Sequence, residues 1–190
     1  MTSNVALKEW AVVVEALAAG RQLLLLRKGG IRDPQGAFQL EHREFLLYPT
    51  LEHQRPEWIR PGFRSRMDPD PKPPAGAGAL EEVEFRIYGG VALAQEIRSP
   101  QALNGLERYH LWTPELIEER MKYRPQSPTL AVVVRAYRLV KPIQHAVRPE
   151  YAGCKSWVPL AEPISIEGAE PVLDNRRFRA ALEEIAGKLC

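Results

Sequence analysis

The sequence predicts an α+β domain built on one curved, mixed β-sheet or barrel and packed with a few helices. Three observations carry this. Apolar runs of strand length recur, as in Leu23 to Leu26, Phe45 to Pro49 and Thr129 to Val140. Helix-start and helix-stop residues punctuate the segments between them. Strands and helices intermix without regular βαβ units, and no internal repeat of about 20–50 residues is present. The 190 residues, 45% hydrophobic, are enough for one cooperative core, so 1–190 is read as a single domain.

Taken in order, Leu7, Trp10, Val14 and Leu17 recur at helical spacing, and Gly20 stands where a left-handed residue ends a helix, so the first segment reads as helix then strand. The competing reading makes "WAVVVEAL" and "QLLLLRK" a hairpin, because β-branched valines prefer strands. Leu23 to Leu26, apolar on both faces, predicts a buried central strand with Arg27, Lys28, Gly29 and Gly30 where it emerges at a surface. "FLLYP" predicts a second buried strand, ended by Pro49, which has no N–H for a ladder. The Pro/Gly-rich stretch Met67 to Ala79 predicts a long surface loop outside the core. Glu82 to Ile97 alternates around Phe85 and Ile87, and Gly89-Gly90 marks a bulge or tight turn within or between strands. Ser99-Pro100 and Thr113-Pro114-Glu115 each open a helix with a hydroxyl cap and a first-turn proline. Thr129 to Val140 is the clearest strand. Asp174 caps a terminal helix, 174–190, with Phe178, Leu182, Ile185 and Leu189 on one apolar stripe.

The bulk charge excludes some roles. A formal charge of +2 and a pI near 8.6 are too mild to mark the whole chain as a nucleic-acid binder, so such a role must come from local charge. Cys154 and Cys190 lie far apart without a CxxC, which argues for a reducing cytoplasm. Glu9 and Glu15 interrupt the first apolar stretch and no basic region precedes it, so neither a signal peptide nor a membrane span is expected. A Nudix hydrolase begins with a strand like "LLLLRKGG", yet counting from Gly105 its required acid falls on Leu111, and "LIEER" does not supply the Arg-Glu and paired Glu on one helix face that hold magnesium. No Walker loop, no Gly-x-Gly-x-x-Gly after a strand and no His-Glu-x-x-His occurs. A nuclease-like Asp70-Pro71-Lys72 falls in the Pro-rich stretch, where a rigid metal-binding strand is implausible. His42, His53, His110 and His145 sit in separate segments, so no metal site and no cofactor is expected.

Charge is nonetheless uneven. Acids outnumber bases from Glu81 to Glu119, whereas Arg120, Lys122, Arg124, Arg135, Arg138, Lys141, Arg148 and Lys155 follow against Glu150 alone, interleaved with Tyr123, Tyr137, Tyr151 and then Trp157. Cations for phosphate and flat rings for stacking suit single-stranded or distorted nucleic acid; the alternative is a solvated face balancing the acidic segment. Arg135 and Tyr137 share one strand face and Arg138 the other, which describes either a groove or a capped edge. In "EYAGCKSWV", Lys155 beside Cys154 would favour a reactive thiolate, although the residues also suit a turn that buries Trp157. His110 and Trp112 in "YHLWTPE" either line a base-sized pocket or staple the following helix.

"ALKEW", "LLLLRKGGI", "FLLYPTLEHQ", "YHLWTPE" and "EYAGCKSWV", in this order, resemble the bacterial family named Domain of Unknown Function 1802, from about Ala6 to about Leu160. The resemblance implies association with restriction-modification components. A second resemblance, to PUA/ASCH-like β-barrels, rests on Gly20-Arg21 and Arg27. It implies a PUA-like fold with a cleft beside those arginines, while Gln22 and Leu25 stand where ASCH proteins carry a lysine and an acid.

These readings combine into a cytoplasmic module that binds a nucleotide or a single-stranded or modified nucleic acid. Arg21, Arg27 and Lys28 would hold phosphate at one rim and Arg135, Arg138 and Lys155 at another, with Trp112 and Trp157 as stacking faces. The alternatives are a hydrolase or nuclease-associated enzyme of a restriction-type system, with Cys154 or Glu52/His53 in its site, and a protein-interaction subunit using the basic face.

Overall fold

The computed structural model describes residues 1–28, 38–64 and 82–189. The Met67 to Ala79 loop, the Asp70-Pro71-Lys72 match, Gly29, Gly30 and Cys190 lie outside the described residues. The elements run β1 (Thr2–Trp10), α1 (Ala11–Ala18), β2 (Leu24–Arg27), β3 (Glu44–Thr50), α2 (Pro61–Arg64), β4 (Glu82–Ile97), α3 (Pro114–Lys122), β5 (Thr129–Ala146), β6 (Trp157–Ser165), β7 (Glu170–Pro171) and α4 (Asn175–Leu189).

The opening segment departs from its local pattern. Leu7 and Trp10 belong to a strand, and the helix starts only at Ala11. β1 lies between two partners, parallel to β3 from Ala6↔Leu46 to Trp10↔Thr50 and antiparallel to β6. That double ladder, made with residues far along the chain, outweighs a helical period of one turn or two. α1 has no side-chain cap of its own; the Gln54 Oε1 accepts from Val12 N–H at 3.1 Å instead. It ends as its sequence predicts. Gly20 sits at φ 65°, with Gly20 N–H donating to Leu17 O and Arg21 N–H to Ala16 O, the paired bonds of a Schellman motif.

The sheet order is β2-β5-β4-β3-β1-β6, with β7 pairing β5. Only the β1–β3 pair is parallel among the described pairings, so the sheet is mixed; it is open, not a closed barrel. Period-two alternation gives it two apolar faces. Leu7, Phe45 and Leu47 meet α1, α3 and α4 on one side, while Ala6, Leu46, Tyr48, Phe85 and Val158 form the cluster on the other. Leu24, Leu25 and Leu26 are at most 1% exposed, each contributing about 1.5–3 kcal/mol by burial. Yet β2 is an edge strand rather than a central one. Side chains block its outer carbonyls: Gln22 Nε2 donates to Leu24 O at 3.0 Å, and Arg120 Nη1 donates to Leu26 O.

Gly89-Gly90 makes no turn. Both residues lie inside β4, whose register shifts at Phe85/Ile87 and Val91/Leu93 instead. A Cβ on Gly89 would stand 2.9 Å from Val134 Cγ1 and 3.1 Å from both Leu47 and Phe45, so close packing explains this glycine. Thr113 caps α3, its Oγ1 accepting from Leu116 N–H, and Asp174 Oδ1 accepts from Arg177 N–H at the start of α4. Ser99 precedes only a short 3-10 turn, Pro100–Leu103, without a side-chain cap bond.

Candidate functional site

Strand ends and loops gather around a cleft of about 510 Å³. Trp10 comes from the end of β1, Arg27 and Lys28 from the exit of β2, and His53 and Trp58 from the chain after β3. Leu116, Glu119, Arg120 and Tyr123 come from α3 and its end, and Cys154, Lys155 and Ser156 from the loop before β6. Among the described residues, four basic side chains thus line the cleft against one acid, Glu119.

The floor is a buried charge cluster. Glu9, 3% exposed in its side chain, pairs with Arg27 at 3.0 Å and accepts from Trp10 N–H at 3.0 Å. Arg27 Nη1 also donates to Lys8 O, and its guanidinium lies over Phe38. Arg120 sits between the Trp10 and Trp112 rings, 5.7 and 5.8 Å from their centroids. Burial pulls its guanidinium below its ordinary value, opposed by the Glu9 carboxylate, so one carboxylate serves two guanidiniums. Lys28 Nζ donates to Met121 O at 2.9 Å, and burial lowers this ammonium too. Beside this floor Trp10 and Trp58 stack with centroids 6.1 Å apart, and Tyr123 is exposed at the rim. A low-dielectric wall carrying net positive charge favours anions.

Two loops complete the cleft. In the first, Glu52 N–H donates to Thr50 Oγ1 and Gln54 N–H to Leu51 O, closing a turn that holds His53 at φ 61°, a left-handed conformation that costs a non-glycine residue about 1 kcal/mol. In the second, buried Tyr151 anchors the chain by accepting from Ala161 N–H, and Gly153 at φ 89° turns it back. Lys8, 8% exposed, ties the loops together, its Nζ donating to Gly153 O at 3.1 Å and lying 3.9 Å from Glu52 Oε2. The result sets Cys154 Sγ 3.6 Å from His53 Nε2.

The residues expected to bind ligand separate into groups. Arg27, Lys28 and Lys155 meet in this cleft, with Cys154 beside them. Lys155 also donates to Glu150 O. Arg21 lies elsewhere, donating to Gly62 O and stacking 4.1 Å over Phe63. Arg135 bonds Asn175 Oδ1 and packs on Phe178 of α4, and Arg138 donates to Ala18 O, so neither joins Lys155 at a common rim. Trp112, 1% exposed, lies beneath Arg120, and its ring is not open for stacking. Trp157 donates its Nε1 to Gln39 O and is packed by Phe38, His42 and Phe45. His110 is buried against Arg60, whose Nη2 lies 3.1 Å from Nδ1; burial first, then Arg60, pushes the imidazole down to about 4. The sequence marks none of Lys8, Glu9, Trp10 and Trp58 as a ligand-binding residue. The available signal was a Lys-Glu pair inside an otherwise apolar run. Among the described residues no cluster of three or more His, Cys, Asp or Glu is arranged to hold a metal, and no helix is long and apolar enough to cross a membrane.

Fold and cleft together define an α+β domain with an open mixed sheet and a basic, aromatic-walled cleft at the ends of its strands. The chain belongs to the family described as a domain of unknown function, DUF1802, whose sequence model matches residues 6–184. No curated protein matches it. Among solved structures it is similar to the ASCH protein from Zymomonas mobilis, with a TM-score of 0.45 at 10% identity over 95% of this chain and 93% of that one. A point mutant of that protein aligns with a TM-score of 0.41 at 10% identity, over 79% and 93%. At such identity the function is read from this chain's own residues. Four of the five segments that carry the family resemblance contribute cleft-lining residues, and the fifth places Trp112 beneath Arg120.

Proposed function

We propose that the cleft binds a nucleotide unit, free or within single-stranded nucleic acid. The observation that carries this reading is the lining itself, four cations against one acid among the described residues, beside the Trp10–Trp58 stack and Tyr123. Phosphate would sit toward Arg27, Lys28 and Lys155, and the base against Trp58 or Tyr123. The Glu9 carboxylate holds Arg27 in place and keeps its charge compensated when the cleft is empty.

The test is a tryptophan-fluorescence titration with short single-stranded oligonucleotides and with nucleoside monophosphates at several salt concentrations. Trp58→Ala should cost about 1–3 kcal/mol of oligonucleotide affinity and leave the salt slope unchanged, because it removes stacking and no charge. Lys155→Ala should flatten the slope by about one unit if it meets a phosphate. Undiminished affinity in both folded variants would overturn the assignment to this cleft, and absence of binding at low salt would overturn the function.

A further inference from the structure

Cys154 and His53 are 101 positions apart in sequence, and no motif joins them. The fold nevertheless brings the thiol and the imidazole within hydrogen-bonding reach at the wall of the basic cleft. Three features hold them there: the left-handed turn at His53, the turn at Gly153, and buried Lys8 contacting both loops. Backbone strain kept at a non-glycine residue in a cleft wall is a mark of a positioned functional group. Cys154 is exposed, so a substrate in the cleft reaches its sulfur.

We infer that Cys154 and His53 form a nucleophile–base pair that acts on acyl groups carried by a phosphate-bearing compound. The inference rests on the anion-binding reading of the cleft, and it adds chemistry to it. His53 Nε2 takes the thiol proton as Sγ forms a bond to the acyl carbon. The bond from that carbon to the leaving oxygen breaks, its electron pair departs with the oxygen, and His53 returns the proton to it. Water then adds to the thioester, giving one proton through His53 to the departing sulfur. The carboxylic acid is released and the thiol restored, so no oxidant, reductant or metal enters the balance. Arg27, Lys28 and Lys155 supply the charge that holds the phosphate in the same cleft.

The experiment uses the full chain and two probes. Iodoacetamide reports the nucleophilicity of Cys154, and acetyl phosphate, whose acyl carbon adjoins a phosphate, reports acyl transfer; peptide mass mapping separates Cys154 from Cys190. His53→Gly removes the imidazole while accepting the positive φ without strain, so it keeps the turn. His53→Gln checks that the effect follows the base and not the glycine. The inference expects Cys154 alkylation at pH 7 to be about tenfold faster in wild type than in either variant, because only a small fraction of an unassisted thiol is thiolate at that pH. It also expects an acetyl adduct on wild-type Cys154 that turns over, and none on the variants. Equal alkylation rates in wild type and His53→Gly, or no acetyl transfer to wild-type Cys154, would overturn it. Oligonucleotide titration of the same samples separates the two readings: retained binding with an inert thiol removes this chemistry alone, whereas lost binding in wild type removes the anion site beneath it.

Discussion

Glu9→Gln is the substitution through which the cleft's electrostatics are most exposed. The glutamine keeps the shape and an oxygen for the Trp10 N–H, but it removes the one carboxylate that faces both Arg27 and Arg120. Two guanidiniums then remain in a poorly solvated floor without the carboxylate that compensates them. Breaking a buried pair from one side costs about 3–5 kcal/mol, because the surviving charge stays desolvated. For a domain of this size each kcal/mol lowers Tm by about 2–4 °C, so the midpoint should fall by roughly 6–20 °C. Urea unfolding followed by tryptophan fluorescence measures the loss directly. Glu52→Gln is the control: its carboxylate is 47% exposed and 3.9 Å from Lys8, and pairs so exposed contribute about 1 kcal/mol or less. Phosphate should stabilise Glu9→Gln more than it stabilises wild type, since an anion in the cleft of the variant replaces the missing charge. A Glu9→Gln protein within about 1 kcal/mol of wild type, with no added response to phosphate, would refute the charge-compensated floor.

Two further outcomes follow from the packing and from His110. Gly89→Ala should destabilise by about 1–3 kcal/mol in chemical denaturation, because its Cβ would press on the packed side chains of Val134, Leu47 and Phe45, all buried in the core. His110 is neutral in the folded protein down to about pH 4 but takes a proton near pH 6.5 when unfolded, so the unfolded state binds more protons between those values. Stability therefore falls as pH drops from about 6.5 towards 4, and His110→Phe should show a shallower fall over that window in parallel urea titrations.

What was legible in the sequence was local. Gly20, Thr113 and Asp174 mark helix ends in the structure as they do in the sequence, since a cap needs only neighbours a few residues away. β1 was not legible, because its partners β3 and β6 lie some forty and a hundred and fifty positions onward and outweigh the helical period of Leu7 and Trp10. That shift moved the site as well. On a helix, Lys8 and Glu9 would face solvent; on a strand between two others they are buried beneath the cleft. Arg27, Lys28 and Lys155 could be marked as cations near strand ends, but their convergence depends on the fold, as does the pairing of Cys154 with His53. Trp157 looked free to stack because the aromatic neighbours that cover it, Phe38, His42 and Phe45, come from a distant part of the chain.

The four tryptophans offer the most direct test of where ligand binds. Trp10 and Trp58 line the cleft, whereas Trp157 is bonded to Gln39 O and covered by Phe38, His42 and Phe45. An indole 1H–15N spectrum recorded during titration with a short single-stranded oligonucleotide should show the Trp10 and Trp58 signals moving together and saturating, and moving further than the Trp157 signal. Movement of the Trp157 indole while those of Trp10 and Trp58 stay fixed would contradict the cleft as the binding site.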